Sequence, residues 1–227
     1  MKKIIVAIMA LSGLMASVHA DPVELIVNGG FEEDGYTSND VNNVARTITG
    51  WSSSLSDNKL RVDHISALPG GVDNTVIRML PSNVMYQNLT TDWDADSTFT
   101  LSFNASEVSW KNGAVGNRFF PQIKTADNSK QLWLALADLD GNNDGSTYTE
   151  WQANQTFSWE ITGQELLDTG FVSAGDALRL HINAASDSDS INWIDNVSMT
   201  VIPEPATLGL VVAMGGSLLW VRRVFMV

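Results

Sequence analysis

The sequence contains no cysteine, three histidines and six prolines, and its 13 basic residues face 26 acidic ones. Each shortage excludes something. Without cysteine there can be no disulfide, no thiolate metal site and no cysteine nucleophile, so the fold must be held by its core. Its length of about 180 residues between the termini is enough for that. The histidines, His19, His64 and His181, are scattered and form no metal-ligand cluster. The deficit of Lys and Arg disfavours nucleic acid, whose phosphates need cationic partners, and anionic membrane surfaces for the same reason. Setting aside Lys2, Lys3, Arg222, Arg223 and Glu204 leaves 9 basic and 25 acidic residues between 21 and 201, a net charge of −16. Such a body suits a solvated extracellular protein and leaves carboxylates free for hard cations.

Long apolar runs are confined to the two ends. The chain opens with basic Lys2 and Lys3, continues with an apolar stretch from Ile4 to Ala16, and reaches "SVHA" before Asp21. That order predicts a secretory signal peptide over residues 1–20, cleaved after Ala20, with an uncleaved anchor as the alternative. At the other end, residues 206–221 form 16 consecutive uncharged positions. A helix of that length spans about 24 Å, a little short of the roughly 30 Å hydrocarbon core. Arg222 and Arg223 then keep the extreme C-terminus cytoplasmic under the positive-inside rule. Pro203 and Pro205 make the preceding segment an extended break.

Pro203-Glu204-Pro205, the apolar stretch and Arg222-Arg223 together resemble the PEP-CTERM sorting signal of Gram-negative bacteria, here over residues 202–227. The resemblance implies an exosortase as processing partner, transient anchoring in the inner membrane through this helix, and delivery to the outer surface or the exopolysaccharide matrix.

The body, residues 21–201, reads as one domain. It lacks helix-period runs and is rich in period-two alternation. Phe99, Leu101, Phe103 and Ala105 oppose Thr98, Thr100, Ser102 and Asn104, and Leu178, Leu180 and Ile182 oppose Arg179, His181 and Asn183. "QLWLALA" and "INWIDNVSMTV" alternate too, and further strands are predicted near 24–27, 59–62, 75–80, 84–89, 118–125 and 156–162. Some ten short strands separated by polar turns predict an all-β, two-sheet sandwich.

Asp195 shares its phase with Ile191, Trp193, Val197, Met199 and Val201. A buried carboxylate needs backbone donors, a strand end or a cation; a bulge that shifts the phase is the alternative. The opening "NGGFEE" (Asn28, Gly29, Phe31, Glu32), the pair Gly50-Trp51 and the closing Asp195-Asn196 resemble galactose-binding-like jelly-roll domains, among them carbohydrate-binding modules. That resemblance implies a structural Ca²⁺ held by Glu32 and Asp195. A second acidic stretch, Asp140, Asn142 and Asp144 before Gly145, matches the first half of an EF-hand loop but fails at its twelfth position, which is Trp151, so a polar turn is the stronger reading.

Catalysis has little support, since no two carboxylates stand out as a glycosidase pair. Binding has more. Trp133 lies out of phase with Leu132, Leu134 and Leu136, and a large ring is costly to expose without a ligand or partner. The same polar phase gathers Gln122 and Lys124 on one strand and Arg179, His181 and Asn183 on another. An aromatic platform ringed by amides and cations suits a saccharide. The expectation is therefore a non-catalytic exported protein binding polysaccharide or exopolysaccharide, against a structural matrix or adhesion protein, with a hydrolase third. From the tail we predict removal of the sorting segment. Intact-mass measurement of surface-extracted protein should find a chain lacking Trp220 and Arg222, and their retention would contradict processing.

Overall fold

In the computed structural model, residues 21–36, 44–54, 60–65, 74–79, 83–90, 92–109, 118–138, 155–185 and 190–202 are described. They form two antiparallel sheets. The larger runs β11 (Gln155–Thr162), β7 (Thr98–Ser109), β13 (Ser190–Ile202), β5 (Asn74–Met79), β4 (Leu60–Ile65), β2 (Val44–Arg46), with β1 (Val23–Glu24) added on β13. The smaller runs β10 (Ala137–Asp138), β8 (Arg118–Thr125), β12 (Leu178–Ala185), β6 (Val84–Leu89), β3 (Ser52–Ser53), with β9 (Gln131–Trp133) also on β8. The all-β sandwich predicted from alternation is the observed fold.

The alternation is what packs it. Phe99, Leu101, Phe103 and Ala105 of β7 are buried, as are Leu178, Leu180 and Ile182 of β12. Phe103 meets Phe119 of β8 edge-on at 5.5 Å, joining the sheets through the core, and also lies against Trp159 of β11 at 5.1 Å. Trp159, in phase with Phe157, packs on the core and donates its indole N–H to Ala135 O at 3.0 Å.

Three local features depart from the alternation. "QLWLALA" is two strands: pairing with β8 stops after Trp133 and resumes one residue out of register at Ala137, and Leu136 is left 42% exposed while Leu132 and Leu134 pack on the core. One turn of helix, α1 (Gly163–Asp168), follows β11, set by a capping box between Thr162 and Glu165. In β13 the register with β7 shifts between Asp195 and Ser198. The bulge moves the core phase from Ile194 to Val197, Met199 and Val201, so Asp195 leaves the apolar face that strict alternation assigns it. Asp195 is nonetheless buried, and its carboxylate accepts Asn196 N at 2.6 Å and Asn196 Nδ2 at 3.1 Å.

The chain's first loop closes over this bulge. Val197 N donates to Gly29 O at 2.9 Å, and Trp51 Nε1 donates to Asn28 O at 3.1 Å. Asp34 accepts from Asn28 Nδ2, Thr49 N and Thr49 Oγ1, tying residues 28–34 to 49. Glu24 accepts Ile26 N and Met199 N, both at 2.9 Å, which is why β1 gives way so early to side-chain bonding. The approach at Gly29 admits no side chain, since a Cβ there would lie 1.8 Å from Val197 O. At Gly30 its close contact would be the tip of the Glu32 side chain, at 2.6 Å, with Asn196 Oδ1 at an ordinary 3.7 Å. Gly29→Ala should therefore destabilise the domain by about 1–3 kcal/mol or more, and Gly30→Ala should be nearly neutral. Equal melting temperatures for the two variants would contradict the tight closure.

Candidate functional site

With the apolar side chains of β6, β8 and β12 directed to the core, their alternate residues form the opposite face of the smaller sheet. The register lays them out in rows. Gln122 of β8 pairs with Trp133 of β9 and with His181 of β12, and His181 pairs with Tyr86 of β6. The next row is Gln131, Lys124, Arg179, Asn88, and on the other side Phe120 pairs with Asn183. The six ligand residues selected from sequence, Trp133, Gln122, Lys124, Arg179, His181 and Asn183, thus come together on one face. Trp133 and Tyr86 stand three strand spacings apart, roughly 14 Å, with Gln122 and His181 between them.

The aromatic groups are arranged as platforms. Trp133 is 53% exposed and braced edge-on by Phe120 at 6.2 Å. The Tyr86 ring stacks with His181 at 6.1 Å, 17° from parallel. Arg179 lies over the same ring at 4.6 Å and donates from Nε to Asn88 Oδ1 at 2.8 Å. This cation–ring contact and hydrogen bond fix a long side chain that would otherwise move freely.

Among the described residues, three polar atoms between and beside the platforms, Gln122 Oε1, His181 Nδ1 and Asn183 Oδ1, are buried and have no hydrogen-bond partner. Buried polar groups are nearly always satisfied, and leaving one unpaired costs about 1–3 kcal/mol. All three lie on one face of the smaller sheet. The face is also electropositive. Burial and, secondarily, Arg179 lower the Lys124 pKa. Burial, Lys124 and Arg179 push His181 down to about 4, so it is a neutral donor and acceptor at pH 7.

Tyr86, Asn88 and Phe120 were not selected from sequence. The signal was available: in "VMYQNL", Tyr86 stands out of phase with buried Met85 and Leu89, as Trp133 does with its leucines. Gln87, in the inward phase, is claimed instead by the first loop, bonding Val27 N at 2.7 Å and Val27 O at 3.0 Å.

The residues implied for calcium lie at the junction of the first loop and the bulge of β13. The oxygens nearest Gly30 are Glu32 Oε2 and Asn196 Oδ1, with Asp195 bonded behind Asn196. Calcium takes about 6–8 oxygens, and among the described residues no three His, Cys, Asp or Glu come together. Backbone carbonyls would have to supply the remainder, and Gly29 O and Asn28 O are already bonded. Asp140, Asn142, Asp144 and Trp151, and the residues Pro203, Glu204, Pro205, Arg222 and Arg223, lie outside the described residues.

No protein-family model and no curated protein matches the chain. Among solved structures, a Stig cyclase from Fischerella sp. TAU, in complex with an indole compound, superposes with a TM-score of 0.53 at 14% identity, covering 81% of this chain and 99% of that one. A second cyclase structure from the same source gives 0.51 at 14% identity, covering 81% and 98%. The CBM22-1 xylan-binding domain of Paenibacillus barcinonensis Xyn10C superposes more loosely, at 0.47 and 12% identity, covering 83% and 99%. At these identities the likeness is one of fold, a jelly-roll-like β-sandwich.

The low His181 pKa has a consequence for stability. The unfolded chain takes up a proton near the ordinary value of 6.5, the folded one only near about 4. Stability is thus lost as pH falls from 6.5 towards 4. His181→Gln should reduce that acid-induced drop in melting temperature, and an unchanged drop would contradict the assigned environment.

Proposed function

We propose that the protein is an exported, non-catalytic module that binds polysaccharide across the outward face of β9, β8, β12 and β6. One observation carries the reading: two aromatic platforms, Trp133 and Tyr86, flank buried amide and imidazole atoms that the protein leaves unbonded. Sugars present both kinds of surface at once. Their C–H faces stack on aromatic rings, and their hydroxyls need paired donors and acceptors. The amides of Gln122 and Asn183 and the neutral imidazole of His181 each offer both.

A binding role is also supported by what lies in the rows. Glycoside cleavage uses two carboxyl groups flanking the bond, whereas the described side chains here are aromatic, amide, imidazole and cationic. On the sorting-signal resemblance, such a module would be delivered, after exosortase processing, to the outer surface or the exopolysaccharide matrix. There it would hold polymer rather than cut it. A calcium ion held at Glu32 and Asp195 would be structural in this reading, pinning the first loop to β13 in the larger sheet and away from the binding face.

Trp133→Ala provides the test. Loss of one aromatic stack should weaken polysaccharide binding about ten-fold or more, by analogy with ring-contact energies of roughly 1–2 kcal/mol. The melting temperature should barely change, because the ring is exposed. Unaltered binding in a stable variant would leave the protein as matrix structure without a sugar site at this face.

A further inference from the structure

The positive charge of the Lys124–Arg179 row meets no described carboxylate in that row or the other two. Lys124 and Arg179 are directly opposite each other on neighbouring strands. Like charges so placed destabilise a sheet, and natural sheets ordinarily relieve them with a nearby carboxylate. Here there is none: among the described residues neither Lys124 nor Arg179 forms an ion pair, and the described side chains of the three rows include no Asp or Glu, although the whole chain carries a net charge of −13. Lys124 is also largely withdrawn from water, at 8% exposure. Arg179 is held by Tyr86 and Asn88 through its ring contact and Nε alone. Among the described residues its remaining guanidinium donors have no hydrogen-bond partner, and a guanidinium fork matches a two-oxygen anion.

We infer that the polysaccharide bound here is acidic, with a carboxylate or sulfate ester of one sugar unit seated between Lys124 and Arg179 beside the Trp133–Gln122–His181–Tyr86 row. This inference rests on the saccharide-binding reading of the face. The anion supplies the counter-charge that the fold omits. The acidic surface elsewhere repels polyanions and so confines them to this face.

Calorimetry of the purified full chain with matched polymers tests it. De-esterified galacturonan is compared with its methyl ester, and a sulfated galactan with neutral galactan. The expected result is at least ten-fold tighter binding of one acidic polymer than of its neutral counterpart, falling steeply with added salt. The comparison shows which anionic group the face takes. Lys124→Gln and Arg179→Gln should each remove that preference while leaving the melting temperature close to the parent's. Trp133→Ala should weaken acidic and neutral polymers alike. Bound anion should also raise the His181 pKa, visible by NMR and unaffected by a purely structural role for the two cations. Equal binding of charged and neutral partners would overturn the acidic specificity while leaving the sugar face intact. Binding of none of the four polymers would overturn both.

Discussion

The contact of Phe103 with Phe119 across the interior is the joint on which the molecule turns. It fixes β7 of the larger sheet and β8 of the smaller sheet in one parity relative to the core. A slip of one residue would exchange the faces of an entire strand. With Phe119 and Ile123 inward, Phe120, Gln122 and Lys124 have no choice but to face outward, and antiparallel pairing then aligns Arg179, His181 and Asn183 beside them. The proposed site is therefore a by-product of core packing. Its side chains are set by strands rather than by a loop.

That origin explains how the face can carry arrangements that would be unfavourable in isolation. Three unbonded buried polar atoms and a directly opposed Lys124–Arg179 pair each weaken the sheet locally. They persist because the β8–β12–β6 ladder is anchored on its other side by a continuous apolar layer of Ile123, Leu180, Ile182, Met85 and Leu89. Conflict between local preference and global fold of this kind is expected where a surface is kept for a ligand. The other specialised region, the loop around Gly29 and the bulge at Asp195, lies on the larger sheet and resolves its conflicts internally through hydrogen bonds.

Period-two alternation is why so much was legible in the sequence. Strands β6, β7, β8, β11, β12 and β13 fall where their apolar–polar pattern predicts, and the polar phases of β8 and β12 identify the shared face before any pairing is known. Features set by side-chain bonding rather than by pattern were not legible. β1 is cut short by the Glu24 carboxylate, and β2 and β3 are too short to show a period. α1 depends on one capping box, Thr162 with Glu165, which is a readable signal outside any helical period. The bulge after Asp195 broke an alternation that looked continuous because Trp193 and Val197 are both large and apolar while belonging to opposite faces. Tyr86 does not stand out in the sequence because its strand also buries a polar residue, Gln87, so its phases do not separate cleanly by hydropathy.

The central claim is that one face of the smaller sheet receives the sugar, and side-chain NMR during titration with an acidic oligosaccharide addresses it most directly. The account predicts that the Trp133 indole N–H and the Gln122 and Asn183 amide resonances move first and saturate together, while Trp51 and Trp93, whose indole protons are bonded to Asn28 O and Asp176 O inside the fold, stay still. Saturating shifts at Trp51 or in the β13 bulge, with Trp133, Gln122 and Asn183 unmoved, would place the ligand elsewhere and contradict it.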